Sequence, residues 1–153
     1  MTNNLQTRNF ALIAGLVMMM MGLIAFVPTL NVTEGLPLIK VNTSYGMFLD
    51  VFPLNIFNKV ALILFGVAGI ACYFSKSSST HYSIIYAKVV YWVMGALAIL
   101  GIIPMTNTLF GYWPLFGFEI FAHGIFAIAG GYYGYVIHRE DSYHHHPHNM
   151  HKV

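Results

Sequence analysis

The chain has 153 residues, of which 58% are hydrophobic and 8% are charged, whereas an ordinary soluble domain has about 45–50% apolar and about 25% charged residues. This small number of charged side chains cannot form the polar surface of a globule of this size. The composition therefore excludes a water-soluble fold and predicts contact with a lipid bilayer. The formal net charge of +2 and the scattered basic residues exclude a nucleic-acid partner. A single cysteine, Cys72, excludes an intrachain disulfide.

Four apolar runs are long enough to cross a hydrocarbon core of about 30 Å, which takes about 20 helical residues. The first is expected at about residues 10–28 and has no charged residue before Pro28. The others are expected at about residues 55–74, 84–103 and 116–137. The sequence therefore predicts an all-α membrane protein, with four transmembrane helices as two tandem hairpins over residues 1–137 and a polar, His-rich tail over residues 138–153.

The positions of Lys and Arg predict the orientation, because positively charged loops stay in the cytoplasm. Five basic residues fall on the side shared by both termini and the central loop, and two fall on the other side. The first group is Arg8, Lys76, Lys88, Arg139 and Lys152, and the second is Lys40 and Lys59. We therefore expect a protein of the bacterial inner (plasma) membrane with both termini cytoplasmic. The first run is longer than a signal-peptide core and lacks a small-residue cleavage site, so we expect it to be retained.

The loop between the first two spans becomes apolar from Tyr45 to Phe52. This stretch is too short to cross the membrane. We expect it to form a turn of helix that lies flat at the membrane surface.

An internal repeat is suggested by residues 53–69 and 114–130, which align without gaps and agree at seven of seventeen positions. Chance similarity between apolar segments is the alternative interpretation. If the repeat is real, both hairpins start on the same side of the membrane. The repeat is then parallel, unlike the inverted repeats of many transporters.

Each half has a Gly-containing first helix that ends at a proline, and a second helix that is entered through Phe52-Pro53-Leu54 or Trp113-Pro114-Leu115. Over about residues 10–137 this pattern resembles a family of small four-helix bacterial membrane proteins known only as a domain of unknown function. The resemblance implies a histidine on each of helices two and four. His123 stands at the helix-four position, but Ala61 or Leu62 stands at the helix-two position, so a two-histidine site would be half missing.

Glu119 and His123 are four residues apart on the fourth span, so they share one face of a helix and can pair. Ionisable groups within a bilayer are candidates for function. The pair could be a polar latch between helices, a proton relay or ligand site, or a pair exposed at the interface. We also expect a contact between Lys59 and Glu119, direct or through Asn58, because a lone lysine at that level needs a partner.

His123 could in principle bind a haem or a pigment. A bis-histidine haem needs two histidines at matching depth on facing helices. His81 and His138 fall at the opposite side of the membrane, which argues against a bis-histidine haem. His123 as a single axial ligand to a pigment is an alternative that we do not expect, and it predicts visible absorption of the purified protein.

The tail has closely spaced histidines at His144, His145, His146, His148 and His151. Clustered imidazoles bind Zn²⁺, Ni²⁺ or Cu²⁺. Such binding is either adventitious or part of a metal- or pH-sensing role, and the sequence leaves both readings open.

Gly130 and Gly134 form a GxxxG pattern on the fourth span, and Gly66 and Gly69 give the second span a small-residue face. Such faces allow close helix contact, within the bundle or with a partner chain. With no catalytic motif in the sequence, we do not expect an enzyme. We expect an accessory or stabilising subunit of a larger membrane protein complex, or a homo-oligomer. The alternative is a proton- or metal-responsive transport or sensing protein that uses Glu119, His123 and the tail.

Overall fold

The computed structural model describes residues 2–75 and 79–137. Its α-helices, in chain order, are α1 (Thr2–Ile24), α2 (Ile56–Phe74), α3 (Ser79–Ile102) and α4 (Phe118–Gly131). A π-helical turn, Tyr132–Val136, continues α4. Among the described helices, α1, α2 and α3 are long and apolar enough to cross a membrane. The protein is thus mostly helical, and its long apolar helices are suited to contact with lipid.

The helices pack mainly in two pairs, α1 with α2 and α3 with α4, and α1 also contacts α3 at the centre. The Phe10 and Tyr86 rings lie 6.4 Å apart between α1 and α3, and Tyr133 stacks on Phe10 at 4.8 Å. The buried core here is formed by Phe10, Ala11, Ala14, Met18, Tyr86, Ala87, Val90, Met94 and Ala127. This core joins the two helix pairs.

Glycines allow the paired helices to approach closely. A Cβ atom placed on Gly69 of α2 would lie 2.6 Å from the carbonyl oxygen of Ala11 in α1. One placed on Gly130 of α4 would lie 2.7 Å from the carbonyl oxygen of Ala87 in α3. Both distances are too short for a side chain, so the crossing points require glycine.

The first helix begins and ends earlier than the sequence suggested. It runs from Thr2 to Ile24, and Pro28 starts a separate 3₁₀ turn rather than ending the helix. The Asn31 side-chain amide donates hydrogen bonds to the carbonyl oxygens of Ala25 (3.0 Å) and Val27 (2.7 Å). Asn31 thus fixes the turn that follows α1, where the Val27 carbonyl oxygen also accepts a hydrogen bond from the Leu30 N–H at 3.2 Å.

The prediction of a flat-lying helical turn between Tyr45 and Phe52 is wrong. The long loop between α1 and α2 instead contains an antiparallel sheet in the order β1-β2-β3. Its strands are β1 (Asn31–Val32), β2 (Gly46–Phe48) and β3 (Phe52–Leu54). Residues 49–51 connect β2 to β3, and the first two of them, Leu49 and Asp50, have φ values of 53° and 58°. Two positive φ angles in succession fit a hairpin turn and exclude a right-handed helix there.

Candidate functional site: a buried polar cluster at the starts of α2 and α4

Polar side chains are buried where α2 and α4 begin. Asn58 and Lys59 in the first turn of α2 are 3% and 1% exposed, and Glu119 and His123 in α4 are 5% and 9% exposed. Polar groups in an apolar interior are costly unless they are bonded. The partners of these four side chains therefore indicate what the cluster does.

Asn55 caps the start of α2. Its side-chain oxygen accepts hydrogen bonds from the backbone N–H groups of Phe57 (3.0 Å) and Asn58 (3.3 Å), and the Asn58 side chain accepts one from the Asn55 N–H (3.2 Å). This reciprocal cap satisfies donors that a helix start leaves free. The Asn55 amide also donates to the carbonyl oxygens of Val41 (3.1 Å) and Tyr112 (2.7 Å). Asn55 therefore holds α2 to both loops.

Further hydrogen bonds tie the long loop and α2 to the segment that precedes α4. The Asn58 amide donates to the Pro114 carbonyl oxygen at 3.1 Å. The backbone N–H groups of Lys40 and Val41 donate to the Gly111 carbonyl oxygen at 2.8 and 3.2 Å. With the bond from Asn55, these contacts form a latch between the two halves of the chain, and we call this set of bonds the loop latch.

Asn55 is not among the predicted site residues, although the sequence contains a signal for its capping role. Asn55 and Asn58 are three residues apart and directly precede an apolar run. That spacing is the one a capping box uses, with asparagine here at both positions. The bonds from Asn55 to the loops depend on the tertiary fold and have no such signal.

Lys59 does not contact Glu119, so the predicted pairing is wrong. The Lys59 ammonium group donates to the carbonyl oxygen of Ser44 (2.8 Å) and to its hydroxyl oxygen (2.9 Å), and it lies 5.4 Å from the centre of the Phe26 ring. Asn58 does not bridge the two residues either, since its amide is bonded to Pro114. Successive residues of a helix point about 100° apart, so Asn58 faces the segment before α4 while Lys59 faces the long loop.

Glu119 and His123 pair within α4. The carboxylate Oε2 and the imidazole Nε2 atoms lie 3.4 Å apart. Glu119 lies in the first turn of the helix, where the helix dipole favours a negative charge. The other imidazole nitrogen, Nδ1 of His123, is buried and has no hydrogen-bond partner within the described part of the chain.

A small cavity of about 30 Å³ adjoins this pair. Its lining comes from α2, α3, α4 and the loop before α4: Asn58, Ala61, Leu62, Phe65, Met94, Leu97, Trp113, Glu119 and His123. The buried indole N–H of Trp113 also has no partner in residues 2–75 and 79–137. A cavity of this size can hold a water molecule, so it could hydrate the Glu119–His123 pair.

The helix-two position of the family resemblance lies at the same cavity. Ala61 and Leu62 line it opposite His123. Apolar side chains there provide no acceptor or donor to His123. In the described ranges no cluster of three or more potential metal-ligating side chains occurs.

The glycines of the GxxxG pattern face a neighbouring helix of the same chain. Gly130 lies against the backbone of Ala87 and Tyr91, and Gly134 lies against Lys88, all in α3. Gly66 and Gly69 likewise face α1. The structure thus uses these positions for packing inside the bundle.

The candidate metal ligands of the tail lie outside the described residues. They are His144, His145, His146, His148 and His151. His81 lies at the start of α3 and is exposed. The structure therefore does not bring it to His123.

Comparisons with known proteins give a family. No curated protein and no solved structure matches the chain. The family model described as a domain of unknown function, DUF4383, matches residues 8–136, which include all four helices apart from the first turns of α1. The resemblance to an uncharacterised family is therefore confirmed, and the chain belongs to the DUF4383 family.

Proposed function

We propose that the protein is a non-catalytic integral membrane protein that acts as an accessory or stabilising subunit of a larger membrane assembly. The loop latch is the observation that carries this proposal. In the loop latch the buried side chains of Asn55 and Asn58 bond to loop atoms, and the neighbouring Lys59 bonds to Ser44 of the long loop. These polar groups hold the loops to the helices within the chain. The outer faces of the helices are therefore left for contact with other molecules.

The outer faces of the helices are strongly apolar. The most exposed side chains include Leu64 and Val67 on α2, Trp92 and Ile99 on α3, and Phe121, Ile125 and Ile128 on α4. In a bilayer such faces contact lipid chains or the helices of a neighbouring protein. They support a role exercised through association rather than through an internal path.

Extraction from native membranes in a mild detergent, followed by native mass spectrometry, tests this proposal. We expect the protein to be recovered stoichiometrically in one larger complex. Recovery as a single chain would contradict the proposal, and recovery with copies of itself alone would replace it with a homo-oligomer. An absorption spectrum of the same fraction tests the prediction that His123 binds no pigment.

We further propose that the chain is a tandem duplication of one helix hairpin. Five buried positions of α1, and Ala25 just after it, recur in α3 in the same order and spacing: Thr7, Phe10, Ala11, Ala14, Met18 and Ala25 match Ser83, Tyr86, Ala87, Val90, Met94 and Gly101. Two further buried positions of α1, Gly15 and Gly22, correspond to the half-buried Tyr91 and Ala98. The glycine crossings also correspond, because Gly69 meets Ala11 as Gly130 meets Ala87. Chance similarity of apolar segments does not predict matching burial and matching close contacts.

The duplication supports a fourth span. α4 and the following π-helical turn form one helical stretch from Phe118 to Ile137, which at 1.5 Å per residue is about 30 Å long. We propose that this stretch crosses the inner membrane. The even number of spans then leaves both termini on the same side, and the distribution of Lys and Arg favours the cytoplasmic side.

A second candidate function is a proton- or metal-responsive transport or sensing protein. The observation in its favour is the Glu119–His123 pair beside a cavity, with Nδ1 of His123 unbonded within the described residues. Glu119→Gln tests whether the Glu119–His123 pair has a structural role. If the pair is a polar latch between helices, which is distinct from the loop latch, the variant has a lower melting temperature or a changed oligomeric state in detergent. If neither changes, the latch interpretation fails.

The sensing function predicts something else. Wild-type stability or oligomeric state would change with pH near the histidine range, about 5 to 8, and this change would be lost in His123→Gln. Titration of the full chain with Zn²⁺, Ni²⁺ and Cu²⁺ tests the tail. Saturable binding supports the sensing function, and weak binding without a fixed stoichiometry indicates an adventitious site.

A further inference from the structure

A second pocket lies on the other side of α2, between the end of α1, the long loop and the first turn of α2. Its volume is about 240 Å³. The lining residues are Phe26, Pro28, Asn31, Thr33, Ser44, Tyr45 and Lys59. The volume is below the roughly 300–1,000 Å³ of sites for drug-sized ligands, so the pocket suits a small headgroup-sized molecule.

The ammonium group of Lys59 belongs to this pocket and has no negative partner. Lys59 is 1% exposed. Two of its three N–H bonds are donated to Ser44, and no carboxylate of residues 2–75 or 79–137 pairs with it. A buried cation without a counter-charge is unfavourable. Its other contact is with the Phe26 ring, whose centre lies 5.4 Å away, so the third N–H is available to an anion in the pocket.

Ser44 is held in an unusual conformation to make these bonds. Its φ angle is 53°, in the left-handed region that non-glycine residues rarely adopt. This conformation allows both the carbonyl and the hydroxyl oxygen of Ser44 to reach the Lys59 ammonium group. The loop is thus shaped to fix the position of the lysine.

Two more polar atoms of the pocket lack partners. The Tyr45 hydroxyl and the Oδ1 atom of Asn31 are buried, and neither has a hydrogen bond within the described chain. Burial raises the pKa of the Tyr45 hydroxyl, so this group stays protonated and can donate. The Asn31 amide nitrogen donates to Ala25 and Val27, which leaves Oδ1 as an acceptor. Unpaired buried polar atoms are costly and indicate a complementary ligand.

We propose that this pocket binds a phosphate group that carries a nearby hydroxyl or ammonium donor, as in a glycerophosphate. Lys59 and Tyr45 donate to the phosphate oxygens, and Oδ1 of Asn31 accepts from the donor of the ligand. Lys59 lies about 5 Å from the start of α2 at 1.5 Å per residue, a depth at which the headgroups of a bilayer are found. The ligand is therefore either a phospholipid headgroup or a soluble glycerophosphate.

Lipid titration of the purified full chain, read by native mass spectrometry, tests the proposal. Phosphatidylglycerol has headgroup hydroxyls, whereas phosphatidylcholine with the same acyl chains has no N–H or O–H donor. We expect phosphatidylglycerol to bind about tenfold more tightly, the effect of one hydrogen bond to a charged or buried group. Equal binding of the two lipids would indicate nonspecific contact and would overturn the proposal.

Variants locate the site. Lys59→Met should weaken phosphatidylglycerol binding by about tenfold or more, and Tyr45→Phe by about threefold or more. Lys40→Met and Tyr112→Phe are matched controls, because they remove the same groups from a lysine and a tyrosine outside the pocket. The Lys40 ammonium group lies 5.1 Å from the centre of the Tyr112 ring. If Lys59→Met does not fold, Tyr45→Phe removes one oxygen atom and decides the question. Unchanged binding in Tyr45→Phe, or equal loss in the controls, would overturn the assignment.

A soluble arm distinguishes the source of the ligand. Glycerol 3-phosphate and inorganic phosphate are added to the protein in a detergent without phosphate groups, and the melting temperature is measured. A shift with glycerol 3-phosphate that Tyr45→Phe reduces, without preferential binding of phosphatidylglycerol, assigns the pocket to a soluble glycerophosphate. Preferential binding of the lipid with no such shift assigns it to a headgroup. If neither phosphatidylglycerol nor glycerol 3-phosphate binds, the proposal is overturned.

Discussion

Gly69 and Gly130 allow close helix packing because each lacks a Cβ atom. Each lies where two helices cross, against a backbone carbonyl oxygen that cannot move without moving its helix. Within lipid there is no hydrophobic force between helices, so close packing of this kind contributes much of their association. Gly124 lies in the same helix as Gly130, but a Cβ atom placed on it would have no neighbouring atom of another element within 4 Å. It therefore provides a control for the effect of alanine on this helix.

Gly69→Ala and Gly130→Ala should each destabilise the protein by about 1–3 kcal/mol, the usual effect of inserting a methyl group into a packed contact. Gly124→Ala should be neutral or stabilising by up to about 1 kcal/mol, because alanine favours the helix. Melting temperatures of the three variants in one detergent provide the measurement. A Gly69→Ala variant as stable as Gly124→Ala would show that the crossing is not tight.

At the residue scale, the spacing of residues along the sequence carries local information and does not carry tertiary contacts. Glycine spacing pointed to Gly130 and Gly134 as packing positions, and the spacing of Glu119 and His123 placed them on one face of a helix. The partner of Lys59 could not be predicted from its depth in the membrane. The direction in which a helix residue points decides its partner, and that direction depends on where the loop folds.

At the scale of elements, the hairpin between β2 and β3 stands out because its turn uses two residues in the left-handed region, Leu49 and Asp50. Such turns favour Asn or Gly at these positions. The register Phe48 to Phe52 fixes the hairpin, and Phe48 lies in a buried cluster with Ala25 and Leu54. Packing onto the bundle therefore compensates for unfavourable turn residues.

Leu49→Asn should increase the free energy of unfolding by up to about 1 kcal/mol, because asparagine tolerates the left-handed conformation better than leucine. The increase is measured as a higher melting temperature. Leu38→Asn is the matched control, since Leu38 is fully exposed in the same loop and has no positive φ angle. Equal stability changes in the two variants would mean that removal of an exposed leucine, and not the turn geometry, is responsible.

The helices were predictable as elements, and the strands were not. Apolar runs of about 20 residues carry a strong signal, and α2 and α3 lie close to the predicted runs. The strands have only two or three residues each, too few for a periodic pattern. Their pairing also depends on contacts with the end of α1, which no local pattern contains.

At the scale of the whole molecule, the arrangement relative to the membrane is testable with single thiols. In a Cys72→Ala background, we expect Leu38→Cys to react with a membrane-impermeant maleimide in intact cells, because Leu38 is fully exposed in the long loop. Asn4→Cys, in the exposed first turn of α1, should react only after the membrane is permeabilised. The reverse pattern would invert the proposed topology, and equal reaction of both would place the two positions on one side.

The loop latch also has a consequence for the order in which the protein is made. The side chains of Asn55 and Asn58 bond to acceptors that are 57 and 56 residues later in the chain. During synthesis the first helix pair therefore enters the membrane with these donors unpaired, and it stays incomplete until the segment before α4 has left the ribosome. A chain that stalls in its second half displays unpaired amides beside the membrane, a difference by which quality-control proteases can distinguish unfinished copies from finished ones.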